Sequence, residues 1–398
     1  MQNLNKTLEK AYKLFVPSLK DISILDNIAK QFLGILEEKA LNKKIQVDFK
    51  FSGSYAKGTW LKGESDLDIL AVFQKEADIK YLEDIVPENF IETFGTRKYF
   101  RGFFKGIEIE LVPVVKFSNI KAVINSIDLS ILHADYINSR LSEKQKKDVI
   151  LLKALCKANN CYGSETYIHG FSGYALEVMI SKFGDIKNLI EEAQNWYVGV
   201  SFGDKNTKEE YAIYLPDPTN IARNICASVN TENLGKFILA LKLLKIEPSI
   251  NLFKKIKVTD LIKEQKKFRG TKLFKFVTKI KEPRDVFLSK YVKNCRKLIE
   301  ELKKNDVSIY SIDFDYSRRE AKMFLQISNF PRTKTRIFYG PSVFSSIEII
   351  KAFIKSHKDI FIDKNKLAYD KRYNIKDFNK FILLKIKEYM SQNAILKD

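Results

Sequence analysis

A chain of 398 residues is long enough for roughly two to four domains with cores of their own, and a hydrophobic content of 45% excludes a disordered protein. The 69 Lys and Arg residues outnumber the 49 Asp and Glu residues and leave a net charge of +20. Such a balance favours a polyanionic partner, nucleic acid first and an acidic membrane second, although a merely Lys-rich surface is the alternative. No apolar run has the length of a membrane span and the first residues do not resemble a signal peptide, so we expect a cytosolic protein without a membrane segment.

Residues 1–44 have the pattern of two amphipathic helices. Pro17 interrupts the pattern, and Asp21 suits the start of a second helix. The four cysteines of the chain have neither the spacing of a zinc site nor that of a disulfide framework. We therefore expect Cys156 and Cys161, at the end of a later helical pattern, to be packing residues.

The stretch from Gly53 to Asp68 connects two segments that have the patterns of strands. Ile45–Phe51 alternates apolar and polar residues, which is typical of a half-buried strand, whereas Ile69–Phe73 is apolar throughout, as in a strand buried on both faces. Gly53 and Ser54 begin the connection and provide a backbone that can approach a phosphate closely, with N–H and hydroxyl donors beside it.

Asp66 and Asp68 lie two residues apart, so their carboxylates share one face of the second strand. Two neighbouring carboxylates repel and raise each other's pKa, which favours a divalent cation, and paired oxygen ligands suit Mg2+. This pattern resembles the signature of the nucleotidyltransferases related to DNA polymerase β. In that signature a Gly-Ser pair is followed, after about a dozen residues, by Asp-x-Asp at the start of an apolar strand. That signature implies a third acid on a neighbouring strand. Glu110 in the run Ile107–Val115 is our candidate, and Glu108, on the same face, is the alternative.

Downstream segments read mainly as helices as far as about residue 250. His133 lies in a helical, polar pattern, and a long helix from Glu143 carries Lys153 beside its apolar stripe. Ser172 is suited to cap the next helix, and the Pro-containing segment 215–224 is interpreted as a turn that leads into a helix.

The last third of the chain has a different composition. Between Phe253 and Lys281, Lys residues alternate with Phe, which is typical of a nucleic-acid-facing element but equally of an amphipathic element covered by Lys. A helix over 290–304, strands over 308–313 and 322–327 and a helical stretch after Gly340 then predict a small α+β module.

Several motifs along nearly the whole chain closely resemble the archaeal (class I) CCA-adding enzymes, a family of tRNA nucleotidyltransferases. They are Gly53-Ser54-Tyr55-Ala56-Lys57-Gly58-Thr59-Trp60, Leu151-Leu152-Lys153, Tyr162-Gly163, Gly170-Phe171-Ser172-Gly173-Tyr174, Asp217-Pro218, Arg223-Asn224 and Gly340-Pro341. The resemblance implies an α+β fold with three parts: a palm-like catalytic sheet with helices over residues 1–145, a mainly helical nucleotide- and primer-binding domain over 146–255, and an α+β tRNA-binding body and tail over 256–398.

The same resemblance implies template-independent addition of CCA to tRNA with CTP, ATP and Mg2+, through contacts to the acceptor stem and the elbow. Asp66, Asp68 and Glu110 would hold the metal, and Arg223 would help to read the base. The residues implied to contact the nucleotide are Gly53, Ser54, Lys57, His133, Lys153 and Tyr162. Without the resemblance, Lys153 and Tyr162 would be interpreted as structural residues, and His133 equally well as either.

This chain departs from the family pattern at three places. Glu110 stands where the family has Asp, Lys57 replaces an Arg and loses its bidentate fork, and Val114-Val115 replace Cys-Tyr. The alternatives are another template-independent RNA nucleotidyltransferase, similar to poly(A) polymerase or oligoadenylate synthetase, and a non-catalytic RNA-binding protein. The sequence leaves open whether the chain forms a homodimer.

Overall fold

A computed structural model of the chain describes residues 2–64, 66–94, 97–117, 126–204, 210–254, 271–280, 282–304, 307–317, 319–328, 333–363, 365–390 and 395–397. The chain divides into two compact units, Met1–Ile256 and Lys257–Asp398. Within the described residues, no helix is both long and apolar enough to cross a membrane.

The first unit contains helices and short strands in alternation. Its helices are α1 Gln2–Phe15, α2 Leu19–Lys43, α3 Gly53–Lys57, α4 Leu82–Ile85, α5 Ser130–Arg140, α6 Glu143–Ala158, α7 Gly173–Phe183, α8 Ile186–Glu192 and α9 Thr231–Ile246, with 3-10 turns at Glu76–Tyr81, Ser126–Leu129, Ala193–Asn195 and Ile250–Phe253. Its strands are β1 Asp48–Ser52, β2 Asp66–Phe73, β3 Ile91–Phe94, β4 Lys98–Phe104, β5 Ile107–Val115, β6 Val200–Ser201, β7 Ile213–Tyr214, β8 Pro216–Asp217 and β9 Asn220–Asn224.

Five of these strands form one sheet in the order β1-β2-β5-β4-β3, in which β2 and β5 are parallel and the other neighbours antiparallel. Leu67, Ile69, Ala71 and Phe73 point to one face of the sheet and pack in a core with the apolar side of α2. Because side chains alternate along a strand, Asp66 and Asp68 point to the opposite face, as the sequence predicts.

Several observed helix starts are close to the predicted ones, because Ser residues at these positions cap the first turn of the helix. Ser18 caps α2, and Asp21 completes a capping box as the third helical residue instead of preceding the helix. Ser142 and Gln145 form a second capping box at α6, and Ser172 caps α7 as expected. Pro17 lies between α1 and α2, where the break was predicted.

The helical half of the first unit has its own core, formed mainly by α6, α7, α8 and α9. Cys156 and Cys161 are buried free thiols in this core, which confirms their interpretation as packing residues. The segment 215–224 differs from the prediction: it is the hairpin β8–β9, and the next helix begins only at Thr231. Pro216 lies on a short strand at a register shift, a position where a strand tolerates proline.

The second unit has the α+β character that the sequence predicts. Its strands are β10 Thr271–Lys279, β11 Ile309–Tyr316, β12 Glu320–Ser328, β13 Thr333–Ser342, β14 Ile360–Asp363, β15 Lys366–Asn374 and β16 Ile395–Lys397, in sheets of order β11-β12-β10-β16 and β13-β15-β14. Its helices are α10 Arg284–Lys304, α11 Ile347–Ser356 and α12 Ile375–Met390.

The Lys- and Phe-rich segment is only partly described, because residues 255–270 and 281 lie outside the described ranges. In the described part, Phe274 and Phe276 are buried residues of β10. Their rings therefore belong to the core of the second unit and are not exposed for stacking on bases, so the amphipathic interpretation is the correct one for this strand.

Candidate active site

Four acidic residues meet where β2 and β5 run side by side. In the parallel register, Asp66 is the partner of Glu108 and Asp68 is the partner of Glu110. All four side chains lie on the face of the sheet opposite α2, because each pair occupies equivalent positions of the two strands. The structure thus brings the predicted acids together, and it leaves the choice between Glu110 and Glu108 as a prediction.

Gly53 lies directly against this acidic edge. Its φ is +62°, and a Cβ on its backbone would come within 1.5 Å of Asp68 Oδ2. The neighbouring β1 residue Ser52 is the register partner of Asp68. Only glycine therefore allows the start of α3 to approach the carboxylate this closely.

Burial changes the pKa values of the acids. It raises the pKa of Asp66, an effect that Glu108 reinforces, and it raises the pKa of Asp68, which the neighbouring Asp66 reinforces. The pKa of Glu110 rises from its ordinary value of 4.5 to about 7, because burial and Asp68 outweigh the opposite effect of Arg101. Carboxylates that are costly to ionise together are a suitable donor set for a divalent cation.

Arg101 contacts both candidates for the third acid. It lies on β4 directly opposite Glu110, and its Nη2 forms an ion pair with Glu110 Oε1. Its Nε lies 3.5 Å from Glu108 Oε1. Among the described residues, no three His, Cys, Asp or Glu side chains stand in a metal-binding arrangement.

Two of the predicted phosphate ligands, Lys57 and Lys153, meet in a buried cluster around Glu177. Lys57 Nζ lies 2.6 Å from Glu177 Oε2, and Lys153 Nζ lies 2.9 Å from Glu177 Oε1. Thr59 donates to the same Oε1 at 2.6 Å and accepts from Lys153 Nζ at 2.9 Å. Although burial raises the pKa of Glu177, the two ammonium groups lower it to about 2. The cluster joins α3 to α6 and α7, and its two Lys side chains lie near enough to Asp68 to oppose the rise of its pKa, although burial lowers the pKa of Lys153 itself.

A second polar cluster surrounds Asp217. The His133 ring stacks on the Tyr174 ring with centroids 3.9 Å apart, and the Tyr174 hydroxyl donates to Asp217 Oδ1 at 2.9 Å. Arg223 Nη1 lies 3.4 Å and His133 Nε2 lies 3.5 Å from Asp217 Oδ2. Burial raises the pKa of Asp217, but His133 and hydrogen bonds from Thr219 outweigh it and bring the pKa to about 2. His133 and Arg223, predicted as nucleotide contacts, therefore both lie beside one buried carboxylate, to which Arg223 donates a hydrogen bond.

Ser54 and Tyr162 complete the predicted nucleotide contacts. Ser54 is half-buried in the first turn of α3, next to Gly53. Lys157 Nζ lies 4.9 Å from the centre of the Tyr162 ring and forms an ion pair with Glu64. Lys157 and Glu64 lie near the acidic edge, since both act on the pKa of Asp66. The contacts of Ser54 and Tyr162 with a nucleotide stay predictions.

Comparison with known proteins agrees with this geometry. Residues 29–132 match the family model of the nucleotidyltransferase domain, and residues 147–254 match that of the tRNA nucleotidyltransferase second domain. A CCA-adding enzyme of Sulfolobus acidocaldarius is 27% identical over 91% of this chain and 86% of its own length. The chain therefore contains a nucleotidyltransferase domain followed by the second domain of tRNA nucleotidyltransferases.

Further relatives support the assignment. A CCA-adding enzyme of Saccharolobus islandicus is 26% identical over 97% of this chain and 95% of its own, and one of Pyrobaculum islandicum is 29% identical over 64% and 63%. Among solved structures, a cytoplasmic RNA terminal U-transferase aligns with a TM-score of 0.48 and 16% identity over 65% of this chain and all of its own. The assignment therefore depends on the sequence matches.

A nucleotidyltransferase domain implies a divalent metal ion. The observed residues fit such an ion, because Asp66, Asp68 and Glu110 share one face of the sheet and are carboxylates that burial makes costly to ionise. One rearrangement is required: Glu110 must share or exchange its contact with Arg101.

The raised pKa values predict how metal binding depends on pH. Protons compete with the metal for carboxylates that burial makes more basic, so we expect the affinity for Mn2+ to fall as the pH is lowered through about 7. Without metal, the stability of the protein should change with pH in the opposite direction. The folded protein holds the proton of Glu110 more tightly than the unfolded chain does, so the free energy of unfolding is highest below pH 4.5 and falls as the pH rises through about 7. Calorimetric titration at pH 6, 7 and 8 measures the first effect, and an affinity that does not change over this range would contradict it.

The family resemblance and the strand register also predict which acid is the third ligand. We expect Glu110→Asp to retain activity, because Asp still supplies a charged oxygen ligand. Glu110→Gln should lose activity by roughly 100-fold or more, since a neutral amide replaces neither ligand nor base, and Glu108→Gln should be much milder. Single-turnover CTP addition decides the matter: a severe defect of Glu108→Gln beside an active Glu110→Gln enzyme would assign the role to Glu108.

Two residues of the clusters, Arg101 and Glu177, were not identified from the sequence. The two-residue turn Lys105-Gly106, with φ of +50° and +82°, sets the hairpin register that puts Arg101 opposite Glu110. A register inferred from that turn would have identified Arg101. For Glu177 the signal is weaker: it is a single acid inside the otherwise apolar first half of α7.

Proposed function

We propose that this protein adds and repairs the 3′-terminal CCA of tRNA without a nucleic-acid template, using CTP, ATP and Mg2+. The observation that carries the proposal is the match of residues 147–254 to the second domain of tRNA nucleotidyltransferases, together with similarity to CCA-adding enzymes along most of the chain.

The reaction requires that the 3′-hydroxyl oxygen of the RNA bond to the α-phosphorus while the bond from that phosphorus to the bridging oxygen breaks and pyrophosphate leaves. Bound Mg2+ supplies Lewis acidity and neutralises phosphate charge, and Asp66, Asp68 and Glu110 would hold it. Glu110 Oε1 is paired with Arg101, so Oε2 is the atom suited to accept the hydroxyl proton.

The cluster around Glu177 would stabilise the triphosphate, and the cluster around Asp217 would contact the incoming base. Lys57 and Lys153 share the single negative charge of Glu177, so one positive charge remains near Asp68 to stabilise the triphosphate. Gly53 and Ser54 offer backbone and hydroxyl donors next to the same edge. Arg223 is 44% exposed while Asp217 fixes one of its nitrogens, so its guanidinium can also reach an incoming base.

The partner is tRNA, and we propose that residues of the second unit contribute to binding the acceptor stem and the elbow. The net charge of +20 supports a polyanionic partner. The four cysteines are free thiols, which fits a reducing compartment, and we place the reaction in the cytoplasm. A homodimer is an open alternative to the monomer and is decided by light scattering.

Salt should weaken tRNA binding steeply. Each contact with a phosphate releases a counterion, so log affinity is expected to fall linearly with log salt, by at least about 100-fold between 50 and 200 mM. Fluorescence anisotropy with labelled tRNA measures the slope, and CTP binding under the same conditions is the control. A tRNA affinity that is independent of salt would contradict a predominantly electrostatic interface.

Two kinds of RNA separate the proposal from its alternatives. The full chain is incubated with CTP, ATP and Mg2+ and either tRNA that lacks its 3′ end or an unstructured RNA with the same last nucleotides. We expect extension of the tRNA only. Long tails on both RNAs would indicate a poly(A) polymerase-like enzyme, and binding without extension would indicate a non-catalytic RNA-binding protein.

A further inference from the structure

Arg101 is the basic residue on β4 that lies opposite the predicted third metal ligand. The antiparallel register of β4 and β5 places it directly across from Glu110, so the contact follows from the backbone pairing and not from a flexible surface side chain. Only 24% of its side chain is exposed. Its guanidinium carbon lies 5.8 Å from the centre of the Tyr99 ring, which limits where the side chain can go.

The guanidinium spans both acids of β5. Its Nη2 pairs with Glu110 and its Nε lies 3.5 Å from Glu108 Oε1. Each of these acids is in turn the register partner of an aspartate of β2, Asp68 for Glu110 and Asp66 for Glu108. One fixed positive charge therefore faces four carboxylates that would otherwise repel one another.

We propose that Arg101 is a positioning residue that acts as an internal counter-cation: it orders Glu110 before metal binds and lowers the affinity of the site for divalent cations. The inference rests on the proposed metal site. Its physical basis is that a positive charge beside the ligands repels an incoming cation, while the same charge relieves the repulsion among the acids in the metal-free protein.

The test is calorimetric titration of the full chain with Mn2+ and Mg2+ at pH 8.5, where protons no longer compete strongly for the carboxylates. We expect Arg101→Gln to bind both ions at least ~5-fold more tightly than the unaltered protein, because the repelling charge is gone. Without metal, its melting temperature should be lower, and saturating metal should restore more of it than in the unaltered protein. Arg101→Lys keeps the charge and should have the original affinity.

Arg97→Gln is the matched control. Arg97 also binds two acids, with Nη1 2.6 Å from Asp128 Oδ1 and Nη2 2.6 Å from Glu76 Oε2, but neither acid belongs to the proposed metal site. Its loss should lower the melting temperature without changing metal affinity. If Arg101→Gln does not fold, Arg101→Met, which keeps the apolar stem beside Tyr99, replaces it.

The possible results are distinct. Unchanged or weaker metal binding by Arg101→Gln, with binding that still requires Asp66, overturns the role of Arg101 and leaves the metal site intact. Metal binding that is the same in the unaltered protein and in Asp66→Ala overturns the metal site and this inference together.

Discussion

Asp68→Asn is expected to lower the rate of nucleotide addition by roughly 1000-fold or more while the protein remains folded. Asp68 lies between Gly53, Asp66 and the register partner Glu110, where the metal would sit. An amide keeps the shape of the side chain but removes the charge that the metal requires. Because burial and Asp66 raise the pKa of Asp68, ionised Asp68 destabilises the metal-free fold, and the variant should melt at the same or a higher temperature.

Asp48→Asn is the control for this variant, because Asp48 is an exposed residue of the neighbouring strand β1 and pairs with Val72 at the far end of β2. It should retain normal activity. Rates are measured by single-turnover CTP incorporation into truncated tRNA, and tRNA affinity is measured separately. Near-normal turnover of Asp68→Asn in magnesium would refute the assignment of the acidic edge as the catalytic centre.

Gly53→Ala is expected to have the second large effect, on activity and stability together. The added Cβ would overlap Asp68 Oδ2 at 1.5 Å, and the positive φ of +62° is unfavourable for any residue with a Cβ. Either α3 or Asp68 must move, so we expect a loss of activity of roughly 100-fold or more and a lower melting temperature.

Gly63→Ala separates the two causes. Gly63 also has a positive φ, +78°, but a Cβ there has no heavy atom within 4 Å. It carries the backbone cost of about 1–2 kcal/mol without the overlap, so it should lose stability but little activity. If both variants lost activity equally, the contact of Gly53 with Asp68 would not be the reason for the glycine.

Local pattern predicted β1, β2 and β5 of the catalytic sheet and the helices α1, α2 and α6, but it did not predict β3 or β4. Alternation along β2 correctly placed Asp66 and Asp68 on one face, α6 begins at Glu143 as predicted, and Ser172 caps α7 as predicted. These features depend on residues that are close in sequence, and the physics that produces them is equally local.

The polar clusters could not be predicted in this way, because they join residues that are distant in the chain. Lys153 was expected beside the apolar stripe of α6 as a nucleotide contact, yet it is almost fully buried and bound to Glu177 and Thr59. Likewise, nothing in the pattern around Asp217 indicates that His133 and Arg223 converge on it. Burying such charges is costly unless they are paired, and the pairing is a property of the tertiary fold.

The most direct test of the proposed activity is the sequence of the 3′ end that the protein produces. Purified full-length protein, Mg2+ and tRNA that ends before its CCA are incubated with CTP alone, with ATP alone, or with both, and the 3′ ends are sequenced. We predict two C residues with CTP alone, no addition with ATP alone, and C-C-A followed by termination with both, all abolished in Asp68→Asn. Addition of A to the unextended tRNA, or a tail that continues beyond three nucleotides, would contradict the assignment of this protein as a CCA-adding enzyme.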